Sequence, residues 1–157
     1  MKLIAALALA LAIASPAIAQ DKSSADTNMQ ILRDKIKADK KLVVAANMPL
    51  TDAQAKKFWP IYDAYQKELA ALNKRLAQVI TEYADADAKG AVTDALASKL
   101  IKESIAIEQS EAAGRKRLAD RLGKVLPGKL VARYLQIESK IRAAVKYELA
   151  ANIPLVQ

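Results

Sequence analysis

The chain has 157 residues, 53% of them hydrophobic, 27% charged and 4% aromatic, with 25 Lys and Arg against 17 Asp and Glu. That length suits one domain of ordinary size, and four Gly and five Pro are too few for a turn-rich β-sandwich, a collagen-like repeat or a disordered tail. His and Cys are absent, which excludes Cys/His zinc sites, nucleophilic chemistry on either residue, Cys-linked haem and any disulfide framework. The composition points to a basic helical protein that binds rather than catalyses, with no enzyme activity, no metal and no cofactor expected.

The first nineteen residues read as an export leader. Lys2 supplies the positive start, Leu3 to Ala14 is an unbroken apolar run, and Ser15-Pro16 breaks it before the small-x-small sequence Ala17-Ile18-Ala19. Twelve apolar residues span roughly 18 Å as a helix, short of the ~30 Å hydrocarbon core. Cleavage is therefore expected after Ala19, leaving residues 20–157 as a single helical domain with frayed ends at 20–26 and 152–157, secreted to the periplasm. Without Cys in an oxidising compartment, this domain has to hold together by apolar packing alone.

A first helix is expected from Asp26 or Thr27 to about Ala46, with Met29, Leu32, Ile36 and Val43 on its apolar stripe and Lys40 filling the remaining position. Asn47-Met48-Pro49 stops it, because Pro disfavours helical geometry in the residue before it. Leu50-Thr51-Asp52-Ala53-Gln54 then reads as a helix start. Thr51 caps through its hydroxyl, Gln54 reaches back to the Thr51 N–H, Asp52 suits the positive end of the dipole, and Leu50 is placed as a hydrophobic staple.

Downstream, Ala55, Phe58, Tyr62, Tyr65, Leu69, Leu72, Leu76, Val79 and Tyr83 alternate steps of three and four. This is a heptad seam, and it calls for a partner helix along its length. From Asp52 to Tyr83 such a helix is roughly 48 Å long. Pro60 lies inside it and removes one hydrogen bond near the second turn, so a kink or a break is open there. The stretch from Ala84 to Ala91 reads as a linker.

A third helix is expected from Asp94, capped by Thr93, to about Val125. Its stripe of Leu96, Leu100, Ile107, Leu118, Leu122 and Val125 is interrupted by a polar waist of Glu103, Ser104, Glu108, Gln109, Ser110 and Glu111, which bridges solvent or faces another polar surface. Gly123 and Leu126-Pro127-Gly128 end it. A fourth helix uses Leu130, Tyr134, Ile137, Ile141, Val145 and Leu149. The fold class is all-α: four helices, two of them long and antiparallel, forming an elongated hairpin or bundle in which dimerisation covers the remaining apolar faces.

Two clusters stand out as candidate binding surfaces. Phe58, Trp59, Tyr62 and Tyr65 fall within eight positions; they are either core beneath Pro60 or an apolar patch, with Trp59 exposed, for a client or partner segment. Arg115, Lys116, Arg117, Arg121, Lys124, Lys129 and Arg133 face one acid, Asp120, across the same stretch. They form either a solvated helix face or a surface that steers acidic clients or touches anionic lipid headgroups. No aromatics interleave with them to stack bases, and nucleic acid is not expected. Glu108 and Glu111 share a helical face, with Arg115 placed to pair with Glu111.

The run Leu50-Thr51-Asp52-Ala53-Gln54 resembles the L-T-x-x-Q motif of the Spy/CpxP family of periplasmic stress proteins, with Leu50, Thr51 and Gln54 as the motif positions. That family usually carries the motif twice. Here neither Val92-Thr93-Asp94-Ala95-Leu96 nor Leu126-Pro127-Gly128-Lys129-Leu130 ends in Gln. The resemblance implies an antiparallel, cradle-shaped homodimer whose basic, partly apolar concave face holds unfolded clients without ATP; some members instead modulate an envelope stress sensor kinase. Two functions are therefore expected in competition. One is an ATP-independent, chaperone-like protein for unfolded or envelope proteins. The other is a regulatory or accessory subunit docking on an envelope stress sensor or membrane complex.

Overall fold

The computed structural model describes residues 39–156. The expected leader, and the first-helix positions Met29, Leu32 and Ile36, lie outside the described residues. Within them the chain forms α1 (residues 39–47), α2 (Asp52–Asp87), α3 (Asp94–Gly123) and α4 (Gly128–Asn152), with no strand among the described residues. The all-α class, with two long helices packed as a hairpin, is what the structure shows.

α2 begins where the capping sequence places it. The Thr51 hydroxyl accepts from Gln54 N at 3.3 Å, and Thr51 N donates to Gln54 Oε1 at 3.0 Å. Both halves of the capping box are thus made, and two backbone donors that would otherwise lack partners are satisfied. From there α2 runs 36 residues, roughly 54 Å, without a break at Pro60. Pro60 is exposed, so the carbonyl it leaves unpaired one turn back faces water.

The helix extends beyond Tyr83 because Ala84-Asp85-Ala86-Asp87 contains no breaker. Termination falls to Gly90, whose φ of +60° is the left-handed conformation glycine adopts without cost, and Ala91 N closes on Ala86 O at 2.9 Å. The turn is accordingly shorter than the expected linker. Thr93 caps α3 by accepting from Leu96 N at 3.2 Å.

α3 lies antiparallel to α2. Arg117 pairs with Glu68, Arg75 with Glu103 at 2.8 Å, and Lys99 with Glu82. Gly114 sits where the two helices approach, since a Cβ there would already touch Glu68 Oε1 at 3.4 Å. α4 turns back along α3, joined to it by the pairs Arg142–Glu111 and Lys146–Glu108. Near its end, Tyr83 Oη donates to Pro154 O at 3.1 Å. Residues 41–157 form one compact unit in this up-down-up order.

The seam of α2 buries Phe58, Tyr62, Tyr65, Leu69, Leu72 and Tyr83, as its spacing predicts. The main core gathers at one end: Val44, Met48, Phe58, Tyr62, Tyr65, Leu69, Leu118, Leu122, Leu126, Val131 and Tyr134. One expectation shifts by one position: in α1 it is Val44 that is buried, while Val43 is 47% exposed. In α4 Tyr134 is buried as expected and Leu130 and Ile137 pack against the core, but Val131 and Glu138 are buried beside them and Val145 faces water. The inner line of α4 follows a carboxylate that a hydropathy reading leaves on the outside.

Candidate binding surfaces

The aromatic cluster is core rather than surface. Phe58 meets Tyr134 edge to face, with ring centroids 5.0 Å apart at 89°, and Trp59 at 4.9 Å and 71°. Tyr62 also meets Trp59 edge to face, at 5.3 Å and 83°. Such geometries suit the quadrupoles of the rings. Phe58, Tyr62 and Tyr65 are buried and cannot meet a client in this conformation. Trp59, expected to be exposed, is half-buried beneath Lys41, whose Nζ lies 5.1 Å from its ring centroid and 5.7 Å from that of Tyr62. Lys41 also pairs with Asp63 at 2.8 Å, so α1 closes over the ring face that a partner would need.

Below the aromatics lies a buried polar group that the sequence pattern did not reveal. Glu138 is fully enclosed; its Oε1 accepts from Tyr134 Oη and from Gln66 Nε2, each at 2.9 Å. Burial, and then the neighbouring Glu138 carboxylate, drive the Tyr134 hydroxyl far above the usual tyrosine range. The same two causes, with Asp63 added, raise Tyr62 to about 12. Tyr65 is raised by burial and Glu138, with Arg142 opposing, and its Oη has no hydrogen bond of good geometry. Only the i, i+4 placement of Tyr134 and Glu138 is visible in sequence. Their union with Gln66, more than sixty residues away, is a product of the fold.

The polar waist of α3 faces other polar groups. Glu111 pairs with Arg142, the two side chains 11% and 19% exposed, so Arg142 takes the place expected of Arg115. Glu108 pairs with Lys146 at 3.0 Å. The hydrogen bond from Arg75 holds the Glu103 carboxyl below the usual range. These pairs absorb the acids that might otherwise have served as a site. Among the described residues no group of three possible metal ligands converges.

The expected basic cluster divides into four by location. Arg117 is committed to Glu68 on α2. Arg133 Nε donates to Asn47 O at 2.5 Å, placing a cation at the negative end of α1. Arg115 and Lys116 line an open groove between α3 and α4, completed by Ala112, Ala119, Leu135, Gln136, Ser139 and Lys140 and holding about 860 Å³. Its lining combines the small Ala112, Ala119 and Ser139 with Leu135, Gln136 and three cations. Arg121, Lys124 and Lys129 are exposed around the α3–α4 turn and form no ion pair with a described residue.

By helical spacing, residues that line the groove share a face of each helix with residues beyond it. On α3, Ala119, Lys116, Ala112, Glu108, Ile105 and Ile101 follow at steps of three or four; on α4, Gln136, Lys140, Ala143 and Tyr147 do the same. Ile101, Ile105 and Tyr147 are 59%, 50% and 73% exposed. Exposed apolar surface therefore exists, but on α3 and α4 rather than at the aromatic run. The signal available in sequence was Ile101 and Ile105 lying off the Leu100–Ile107 stripe. Compared with known proteins, the chain matches no family model, no curated protein and no solved structure.

Proposed function

We propose that this chain is a non-enzymatic, chaperone-like protein of the cell envelope that holds segments of unfolded protein against the α3–α4 face without ATP. The observation that carries the reading is the composition of that face: a groove with the cations Arg115, Lys116 and Lys140, and, further along the same helix faces, the exposed Ile101, Ile105 and Tyr147. Cations raise the rate at which acidic segments arrive, and scattered apolar contacts without a deep anchor hold them loosely. The export leader and the Leu50-Thr51-Asp52-Ala53-Gln54 likeness to the Spy/CpxP motif support the same reading and its periplasmic setting. A homodimer remains part of the proposal, with the apolar residues of α3 and α4 available for it.

The test is suppression of aggregation of a reduced, acid-rich client by a stoichiometric amount of protein. Protection is expected, weakened several-fold in an Ile101→Lys, Ile105→Lys double variant whose helical signal is intact. No protection at several-fold molar excess rejects the proposal. Recovery of one stoichiometric partner from envelope extract, instead of many weakly held ones, favours the regulatory-subunit reading.

A further inference from the structure

Charge is distributed unevenly along the helical unit. Along the helices seven cations are matched by acids, Lys41–Asp63, Arg117–Glu68, Lys116–Asp120, Arg75–Glu103, Arg142–Glu111, Lys146–Glu108 and Lys99–Glu82, while Lys67, Lys74, Lys102, Arg115 and Lys140 are exposed without an ion pair to a described residue. At the α3–α4 turn there is no acid to match. From Arg121 to Arg133 the chain carries Arg121, Lys124, Lys129 and Arg133 and no acid. Antiparallel packing brings the start of α2 to the same end, adding exposed Lys56 and Lys57 against Asp52.

α4 reinforces this. Its N-cap, Pro127, makes no side-chain cap, and its first turn holds no acid, so the positive end of its dipole is left uncompensated. The opposite end is of the other sign: Asp85 and Asp87 close α2 with no base in its last turn, Asp94 opens α3, and Lys89 stands among them.

We propose that the α3–α4 turn is a docking surface for anionic lipid headgroups, and that it seats the helical unit with this turn against the bilayer and the α2–α3 turn away from it. Two observations favour a lipid surface over an acidic protein. The large apolar side chains of the turn itself point inward, with Leu122 fully buried and Leu126 and Val131 nearly so, and the exposed Leu42 and Val43 of this end belong to α1, so the turn carries no aliphatic or aromatic anchor of the kind that dominates protein interfaces. The cations sit on long flexible side chains around an open turn, an arrangement that matches a fluid layer of charges better than a fixed pattern of partners. Each Lys or Arg near an anionic bilayer strengthens attachment about fivefold, and salt weakens it. Among the described residues no helix is long and apolar enough to cross a membrane, so the attachment is peripheral.

The experiment measures binding of the full chain to vesicles of neutral phosphatidylcholine and of phosphatidylcholine with phosphatidylglycerol. The apolar run Leu3 to Ala14 contributes to both, so the readout is the difference between the two compositions. At low salt, binding to the anionic vesicles is expected to be at least tenfold tighter. Lys124→Glu with Lys129→Glu should erase that preference, while Lys89→Glu leaves it unchanged. The chain has no Cys, which permits single labels: a dye on Gly128→Cys should shift its emission on anionic vesicles, and one on Lys89→Cys should not. Equal binding to both vesicles overturns the proposal, as does an equal response of both labels. It is also overturned if the double reversal weakens capture of an acidic unfolded polypeptide but leaves the vesicle preference intact, which would assign the turn to protein clients.

Discussion

Where α3 turns into α4, Phe58, Tyr62, Leu122 and Tyr134 are withdrawn from water and interlock with Val44 and Met48 of the α1 region. Toward the α2–α3 turn the same helices bury Leu72, Tyr83, Leu100 and Ile107 outside that cluster, while Ile101, Ile105, Val145 and Tyr147 stay half or more exposed. Four chain segments meet at the first end and three at the second, and that difference decides which apolar side chains find cover. Aromatic packing is thereby concentrated at one end, and the exposed apolar side chains of α3 and α4 lie toward the other, with Leu42 and Val43 of α1 the exceptions at the packed end. An aromatic run in a helical protein is thus a poor guide to where it binds, because the largest side chains are the ones the core recruits first.

The sharpest way to break this contrast is to cut a side chain of similar hydrophobicity at each end. Phe58→Ala should cost about 3–5 kcal/mol, since it removes a fully buried ring and leaves a cavity against Trp59, Tyr62 and Tyr134. Ile101→Ala should stay within about 0.5 kcal/mol, as expected of a surface change. Guanidinium titrations followed by helical circular dichroism measure both. Comparable losses would mean that stability is spread evenly along the unit.

Between the ends lies the Arg142–Glu111 pair, the least exposed ion pair among the described residues. Arg142→Ala should cost about 2 kcal/mol, below the cost of breaking a fully buried pair because both groups keep some water. Replacing both partners, Arg142→Met with Glu111→Leu, should recover most of that loss, since neither charge is then stranded. If the double variant is as unstable as the single one, the pair holds α3 and α4 in register in a way apolar packing does not replace.

The helices were legible in sequence because their signals are local. Thr51 and Gln54 sit three apart, the α2 seam repeats without error, and Gly123 and Pro127-Gly128 mark a turn by themselves. The α2 end was misplaced because Ala84 to Asp87 is acidic but helix-competent, and the stop depends on the conformation of Gly90. The face of α1, and one edge of the face of α4, were misread for a different reason. Val43 and Val44 are interchangeable to a hydropathy count, and Glu138 is counted as outward although Tyr134 and Gln66 enclose it. Of the site, the charge cluster at 115–133 was visible as composition. Its division among a groove, a helix terminus and an open turn follows from which helices lie alongside, and no spacing rule encodes that.

The smallest expected effect tests whether the enclosed polar group at the tight end is as dry as its geometry indicates. A tyrosine ionises near 10 in the unfolded chain, and Tyr62 is raised to about 12 when folded. The folded state therefore holds its proton more tightly than the unfolded one. The resulting stability is complete below pH 10 and is lost as pH rises through about 12, because the unfolded chain releases the proton first. Tyr134 and Tyr65 are raised in the same direction and steepen the loss. Helical signal at a fixed, sub-denaturing guanidinium concentration should begin to fall above pH 10. Tyr62→Phe should move that fall upward by roughly half a pH unit, with little change at neutral pH. Tyr134→Phe should also delay the alkaline loss but weaken the protein at pH 7, since it takes a hydrogen bond away from Glu138. An alkaline transition that neither substitution moves would mean that water reaches these hydroxyls, and that the two ends differ less in their exclusion of solvent than in the number of helices that meet there.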